Sequence, residues 1–296
     1  VMNRFWLGLL LALVGTGAFA KKPVEIPDQA ELTMLVTGSI EVEPDGSVSG
    51  WNIDKRDKLP DFVVNLIGKS ASTWKFEPVL VDGAPRKAKA RMSLRIVANK
   101  LADGSGFGIA IRSGHFGEEA MTPEERRERK STDDIIAIDM APPSFPRNAA
   151  AAGAQGTAYV VVKIDGSGKV EDAAIEQVNL RTYGTDRQMA FMRELLGKAA
   201  IGAAQRWTFR VPTTGADADR AYWLVRVPVD YRLADADGTF QDGPEYGQWM
   251  AYIPGPRTKV SWGRSKDEGE TSPDAMVSGR LYLAGRELKL LTPLSG

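Results

Sequence analysis

The sequence predicts an α+β fold made of two small domains, each an antiparallel three-stranded sheet packed against one helix. An internal repeat is the first reason: Trp74-x-Phe76 recurs as Trp207-x-Phe209, and eighteen residues after each Trp comes the same position of an alternating apolar run. The second reason is that each copy has the order strand, turn, strand, helix, strand. A chain of 296 residues is long enough for two domains of ordinary size.

The first copy is expected to occupy residues 30–98. Its hairpin turn is Asp45-Gly46-Ser47-Val48, because Asp-Gly tolerates the positive φ of tight turns. A helix is predicted from Pro60 to about Thr73, since Pro suits the first helical position. Its apolar face consists of Phe62, Val63, Leu66 and Ile67. The final strand carries Met92, Leu94 and Ile96 on one face.

The second copy is expected at residues 142–233. Strands are predicted over Ala158–Ile164 and Val170–Val178, joined by a turn at Ser167-Gly168, and the final strand over Ala221–Leu233. The helix between them shows apolar residues at helical spacing, namely Met192, Leu195, Leu196, Ala199, Ala203 and Trp207.

Three further segments complete the predicted organisation. Residues 1–20 have the pattern of a secretory signal, with Arg4, an apolar core and Ala18-Phe19-Ala20 before a cleavage point after Ala20; the alternative is that this segment is retained as a membrane anchor. Residues 99–141 are expected to be a linker with a short helix that starts near Thr122. Residues 234–296 form a Gly-, Pro- and aromatic-rich C-terminal extension in which no element is placed.

Composition excludes several kinds of chemistry. Lys+Arg and Asp+Glu both number 38, so the chain lacks the positive field of a nucleic-acid-binding protein. There is no cysteine and one histidine, which excludes disulfides, thiolate zinc sites and cysteine nucleophiles. We therefore expect no catalytic residue, no metal site, no cofactor and no enzymatic activity.

Three local patterns have a functional and a structural interpretation, and the structural one is favoured in each case. His115 is expected to be a solvated loop residue rather than a catalytic base. Asp235-Ala236-Asp237-Gly238 is favoured as a turn over a calcium loop, because the later ligand positions are missing. Gly104–Gly108 is favoured as a flexible linker, because the Gly-Lys-Ser/Thr ending of a phosphate loop is absent.

Several aromatic, proline and glycine residues are assigned structural roles. The two Trp-x-Phe motifs are expected to fill the space between helix and sheet rather than to stack on a ligand. A proline-framed lead-in fixes an extended entry to the second copy. The residues assigned to structure are Trp74, Phe76, Pro143, Pro146, Gly156, Gly168, Trp207 and Phe209.

The second copy resembles the TonB C-terminal domain family, and the first copy resembles it more faintly. The family pattern is a Pro-aromatic-Pro lead-in with Ala and two Gly, a Val-rich strand, Asp-x-x-Gly-x-Val, and a helix that ends in Trp-x-Phe. Matching positions here are Pro143, Phe145, Pro146, Ala149, Gly153, Gly156, Val160, Val162, Asp165, Gly168, Val170, Trp207 and Phe209. The resemblance covers about residues 142–233, and the first copy lacks the proline lead-in.

The resemblance implies a binding module that takes an extended segment of an outer-membrane transporter. The implied mode is strand addition to an open edge, here the last strand from Tyr222 to Arg232. The implied partner-binding residues are Tyr222, Leu224, Arg226, Val227 and Tyr231. The same edge could pair with a second copy and form a homodimer.

The N-terminus departs from a full energy transducer of this family. Its apolar segment is short and lacks a histidine, and no Pro-rich spacer follows it. The sequence therefore favours a periplasmic binding protein, membrane-bound only if residues 1–20 are retained. The alternative function is a structural envelope or cell-wall scaffold that self-associates through its sheet edges, suggested by the aromatic-rich extension after Leu233.

Overall fold

The computed structural model describes residues 30–81, 83–101, 106–117, 132–234, 245–262 and 272–295. Over these residues the chain forms two larger antiparallel sheets, each with its own buried core and helix. The predicted α+β class is confirmed.

The N-terminal half builds its sheet around one central strand. Its elements are β1 (Glu31–Val42), β2 (Val48–Ile53), a 3-10 turn (Arg56–Lys58), α1 (Asp61–Ala71), the short hairpin of β3 (Leu80–Val81) and β4 (Ala84–Pro85), β5 (Ala88–Lys100) and β6 (Phe107–Gly117). β1 lies between β2 and β5, and β6 pairs with the far side of β5. Val63, Val64 and Ile67 of α1 are buried in the core on one face of this sheet.

The C-terminal half repeats this arrangement of strands. Its elements are β7 (Ile136–Asp139), α2 (Arg147–Ala151), β8 (Gly156–Ile164), β9 (Val170–Leu180), α3 (Asp186–Ala204), β10 (Thr208–Arg210) and β11 (Trp223–Tyr231). β8 lies between β9 and β11, and β7 pairs with β10 in a separate two-stranded sheet. α3 starts at a capping box in which Thr185 and Gln188 satisfy each other's backbone amides.

Two short strands of the C-terminal segment, residues 234–296, each add to one of these sheets. β12 (Met250–Tyr252) pairs with the start of β1, and β13 (Tyr282–Leu283) pairs with β11. A 3-10 turn (Pro273–Ala275) lies between them in the chain. The prediction of three strands per sheet is therefore wrong, because β6, β12 and β13 add to the edges.

β6 corrects the predicted linker between the two copies. Phe107–Gly117 lies inside residues 99–141 but pairs with β5 along its length, from Lys100↔Phe107 to Arg91↔Gly117. Ile111 and Phe116 are buried there. The glycines of this segment indicated a loop, but its pairing with a long neighbouring strand outweighs their weak strand preference.

The hairpin turns of the two halves have the same geometry. Gly46 and Gly168 have φ values of 85° and 81°, which favour glycine. The Phe76 amide donates to the Gly46 carbonyl and the Phe209 amide to the Gly168 carbonyl, each at 2.8 Å. A Cβ on Gly46 or Gly168 would lie 2.0 or 1.9 Å from the Phe76 or Phe209 carbonyl oxygen. Each Trp-x-Phe segment thus rests directly on the hairpin turn of its own half.

The two sheets face each other through the surfaces that carry no helix. Leu94 and Ile96 belong to the N-terminal core, so the alternating residue Arg95 points to the opposite face of β5. There it approaches Tyr159 of β8, whose side chain is buried. Burial raises the pKa of Tyr159 to about 12, against the opposing effect of the Arg95 guanidinium.

Candidate functional site

The outer edge of β11, predicted to be open for a partner, is occupied by the chain itself. Val225 pairs with Leu283 and Arg226 with Tyr282. The Ala284 amide donates to the Leu224 carbonyl at 2.9 Å, and the Gly279 amide donates to the Pro228 carbonyl at 3.2 Å. The prediction of an unpaired final strand is wrong, because Tyr282–Leu283 pairs with that edge as a short antiparallel strand and Gly279 and Ala284 add backbone hydrogen bonds on either side of it. We call Gly279–Ala284 the edge segment.

Four of the five predicted partner-binding side chains are buried in this state. Leu224, Arg226, Val227 and Tyr231 are each at most 8% exposed. The Tyr231 hydroxyl donates to a carbonyl of α3, and burial raises its pKa. Tyr222 is 42% exposed and precedes β11 rather than lying in it. An added strand would therefore contact the backbone N–H and C=O groups of β11 rather than these side chains.

Arg226 takes part in a buried ion pair on the sheet face opposite α3. Its Nε and Nη2 donate to the two carboxylate oxygens of Glu176, at 2.7 and 3.1 Å. Glu176 lies on β9, so this bidentate pair crosses over β8 and connects the strands on either side of it. This side chain, predicted to recognise a partner, thus links two strands of its own sheet.

Pro228 limits pairing along this edge, a role that was not predicted. Its carbonyl accepts a hydrogen bond from Gly279, so its backbone groups face outward, away from β8. Because proline has no N–H, an added strand loses a donor at this position. The signal was present in the sequence, since a proline inside an apolar run indicates an edge strand.

The C-terminal segment also covers other edges of the two sheets. Ile253 and Leu180 exchange backbone hydrogen bonds of 2.7 and 3.0 Å, and the Thr258 amide donates to the Glu176 carbonyl at 2.7 Å. These contacts cover part of the outer edge of β9. The Leu291 amide donates to the Lys75 carbonyl at 2.7 Å, beside the first Trp-x-Phe motif.

The same segment contributes side chains to both cores. Tyr246, Trp249, Leu288, Leu290 and Leu294 pack on the N-terminal core. Ile253, Leu281 and Leu283 belong to the C-terminal core. The extension that the sequence could not place is thus an integral part of both halves.

A buried polar cluster holds the middle of this segment against the N-terminal sheet. Asp274 is 1% exposed, and its carboxylate accepts hydrogen bonds from the Ser113 and Tyr252 hydroxyls, the latter at 3.1 Å. The Arg95 guanidinium donates to the Asp274 carbonyl from Nε at 2.8 Å and from Nη2 at 2.6 Å. Burial, reinforced by the nearby carboxylate of Asp274, raises the pKa of Tyr252. Each strong hydrogen bond here fixes the position of residues just before the edge segment.

His115 is buried in β6, so the prediction of a solvated loop histidine is wrong. It is 3% exposed and its ring packs edge-to-face against Tyr282, with centroids 4.8 Å apart. Flanking glycines indicated a loop, but β6 carries them in a paired strand. This contact connects β6 of the N-terminal half to the edge segment.

The structural residues assigned from sequence lie in or beside the cores. Trp74, Phe76, Trp207 and Phe209 are at most 3% exposed. The Trp74 indole donates to the Leu294 carbonyl at 3.1 Å and the Trp207 indole to the Ala141 carbonyl at 2.9 Å.

The lead-in and the remaining glycine lie at the entry to the second sheet. Pro143 is partly exposed in the extended segment before α2, and Pro146 is the N-cap of that helix. Phe145 packs edge-to-face on Tyr231 at 5.7 Å. Gly156 begins β8, where a Cβ would lie 2.2 Å from the Asn179 carbonyl oxygen.

A groove lies between β9 and α3, and no cluster suited to a metal ion is found among the described residues. The groove holds about 290 Å³, and Ile175, Gly197, Ile201 and Pro256 line it. Arg193 at its wall donates to the carbonyls of Val178 and Pro254, and burial lowers its pKa. Within the described ranges, no three His, Cys, Asp or Glu side chains are grouped as metal ligands.

Some predicted features lie outside the described residues. These are the signal at residues 1–20, the short helix near Thr122, the turn at Asp235–Gly238 and the first two residues of Gly104–Gly108. In the part of the chain that the structure describes, no helix is long and apolar enough to cross a membrane.

Comparison with known proteins gives one relationship. The chain is 33% identical over 100 residues to Protein TonB of Xanthomonas campestris pv. campestris, in strains B100 and ATCC 33913. The match covers 34% of this chain, and it spans 39% of the length of these curated relatives. No known family profile matches the chain, and no solved structure matches it. The similarity supports a TonB-like relationship over about a third of the chain.

Proposed function

We propose that this chain is a TonB-like binding protein of the bacterial envelope, without enzymatic activity, that engages an extended segment of a protein partner by strand addition to β11. The observation that carries the proposal is the pairing of β11 with Gly279–Ala284, because this edge accepts an added antiparallel strand. The similarity to Protein TonB supports an outer-membrane transporter as the class of partner.

We also propose that residues 30–98 are a degenerate second copy of the domain at residues 142–233. Three features support this proposal: the shared strand order, the matching glycine turns and the buried Trp-x-Phe segment of each half. The first copy has the shorter helix, with 11 residues in α1 and 19 in α3. Only the second copy is offered as the binding domain, since β6 covers the corresponding edge of β5 along its length.

The proposed location is the periplasm, after cleavage of residues 1–20. The apolar segment and the Ala-x-Ala site support this proposal. Fractionation with N-terminal sequencing tests it: a soluble product that starts at Lys21 fits, whereas a membrane-bound product that retains residues 1–20 contradicts it.

The binding proposal is tested by NMR with peptides that carry the N-terminal segments of outer-membrane transporters. Amide signals of Trp223–Val227 should shift, while those of β2 should not. The matched control is the same peptide methylated on alternate backbone nitrogens, which keeps its side chains but cannot complete the ladder. Equal binding of both peptides, or unmoved signals in β11, would refute strand addition at this site.

Self-association through sheet edges, the scaffold alternative, receives less support. The edge segment covers part of the β11 edge, and Ile253 and Thr258 cover part of the β9 edge. Covering edges in this way opposes edge-to-edge pairing between copies.

A further inference from the structure

The edge segment occupies the same backbone positions that an incoming strand would use. Hydrogen bonds from Gly279 and Ala284 reach the outward carbonyls of Pro228 and Leu224. Between them Arg226 and Tyr282 are paired. From Tyr282 to Ala284 the contact therefore has the antiparallel register of strand addition, and at Gly279, one residue out of that register, a further backbone hydrogen bond holds the segment to the same edge.

Side chains of the edge segment alternate between two different environments. Leu281 and Leu283 are buried in the C-terminal core on the side of α3. Tyr282 points to the opposite face, where it is 1% exposed and packs against His115 of β6. Its hydroxyl also bonds the backbone of Val277, accepting from the amide at 2.7 Å. The edge thus has an aliphatic site, an aromatic site and a second aliphatic site in succession.

Pro228 sets the length of strand that this edge can hold. Beyond Gly279 an added strand meets a position without a backbone donor, so regular pairing ends there. The usable edge runs over the five residues from Leu224 to Pro228, which lie opposite the edge segment.

From these three observations we propose that Gly279–Ala284 is an internal occupant of the strand-addition site. We infer that the site takes an extended polypeptide segment with the pattern aliphatic, aromatic, aliphatic, and that a partner must displace the edge segment to bind. This inference rests on the proposed function, because it identifies what a partner of β11 must replace and resemble.

The occupant is tethered on both sides, which makes it a strong competitor. Asp274 is fixed before it by Ser113, Tyr252 and Arg95, and Leu288 packs on the N-terminal core after it. A tethered segment has a high effective concentration at its site. The apparent affinity for an external segment is therefore reduced by the fraction of molecules in which the edge is open.

A reversible disulfide tests the proposal in the full chain. Val225 and Leu283 face each other between the hydrogen-bonded pairs, where Cα atoms are about 4.5 Å apart, within the range that a disulfide spans. Because the chain contains no cysteine, the double variant Val225→Cys/Leu283→Cys can form only this bond. The probe is a fluorescent peptide with the sequence of residues 278–286.

We expect the reduced variant to bind the probe and the oxidised form to bind it at least about tenfold more weakly, since oxidation holds the site closed. The control peptide exchanges residues 281 and 282, which puts the tyrosine on the core face and a leucine on the opposite face and should abolish binding. Equal affinity in the two redox states, or equal affinity for both peptides, would overturn the proposal.

A second variant tests the proposal independently, in case the double-cysteine variant does not fold. Tyr282→Ala removes the aromatic side chain of the occupant and leaves β11 unchanged. It should bind the probe at least about tenfold more tightly than the parent, with both cores intact by near-ultraviolet circular dichroism. A folded Tyr282→Ala variant with the affinity of the parent would contradict the internal-occupant role.

The two proposals fail in different ways. If the probe binds the reduced variant but transporter segments do not, the internal occupant stands and the proposed partner class is wrong. If transporter segments bind equally to the oxidised and reduced variants, they bind away from β11 and the proposed function is wrong, whereas the internal-occupant proposal is wrong if the probe itself binds equally to both.

Discussion

Gly168→Ala places a methyl group where the second hairpin turn meets the Trp-x-Phe segment. Gly168 has φ +81°, and its added Cβ would lie 1.9 Å from the Phe209 carbonyl oxygen. The neighbouring backbone has to move by more than about 1 Å to restore an ordinary contact. That movement acts on the hydrogen bond of 2.8 Å between the Phe209 amide and the Gly168 carbonyl.

The expected loss of stability follows from three contributions. A left-handed conformation costs an alanine about 1–2 kcal/mol. Loss of the hydrogen bond to Phe209 adds about 1 kcal/mol. Reduced freedom of the unfolded chain offsets about 0.4–1 kcal/mol. We therefore expect Gly168→Ala to lower the free energy of unfolding by about 2 kcal/mol.

Two glycines in the same half separate these contributions. Gly166 lies in the same turn, without a positive φ and with open space around its Cβ position, so Gly166→Ala should change stability by less than about 0.5 kcal/mol. Gly153 has φ +67° but also open space, so Gly153→Ala should show only the conformational cost, about 1 kcal/mol after the offset.

Urea denaturation followed by tryptophan fluorescence measures the three variants together. The order of destabilisation should be Gly168→Ala, then Gly153→Ala, then Gly166→Ala. If Gly168→Ala is no more destabilising than Gly153→Ala, the close approach to Phe209 contributes nothing and the reasoning is wrong. Gly46→Ala should match Gly168→Ala, since a Cβ on Gly46 would lie 2.0 Å from the Phe76 carbonyl oxygen.

Three further predictions concern polar contacts. Burial raises the pKa of Asp230, but the charge and hydrogen bonds of Arg181 outweigh burial and lower the pKa overall. The stabilisation by Asp230 is therefore complete above the unfolded pKa of about 3.9 and is lost as pH falls through the folded pKa. Asp230→Asn should cost about 2 kcal/mol at pH 7 and differ less from the parent below pH 4, as measured by urea titrations across pH. Glu176→Gln should lower the free energy of unfolding by about 3 kcal/mol because the buried Arg226 guanidinium loses the Glu176 carboxylate, and combining it with Arg226→Met should recover most of this loss. Trp74→Phe removes the bond to the Leu294 carbonyl and should cost about 1 kcal/mol, with faster amide exchange confined to residues 288–294.

Local patterns were sufficient to predict the elements that depend on local chemistry. The glycine turns, the helix before each Trp-x-Phe and the central strands follow from φ preference and apolar periodicity, which act over a few residues. Boundaries differ by small amounts: the first helix is Asp61–Ala71 rather than Pro60 to Thr73, and β11 is Trp223–Tyr231 rather than Ala221–Leu233.

The elements that were missed depend on partners far away in the chain. β13 has two residues, too few for any periodicity, and it is a strand only because β11 lies beside it. His115 looked like a loop residue because of its glycine neighbours, yet its burial comes from Tyr282, more than one hundred and fifty positions later. Pro228 is the exception, because a proline inside an apolar run is a local pattern that predicts an edge strand.

The covering of β11 changes how recognition at this edge has to be understood. An exposed apolar edge strand invites pairing with any extended chain, so an open edge would bind without discrimination. With Gly279–Ala284 in place, a partner gains only the difference between its own contacts and those it displaces. Backbone hydrogen bonds nearly cancel in that exchange, because both strands form the same ladder. Side chains that replace Leu281, Tyr282 and Leu283 must then supply the difference, so the internal strand turns a general pairing edge into a selective one.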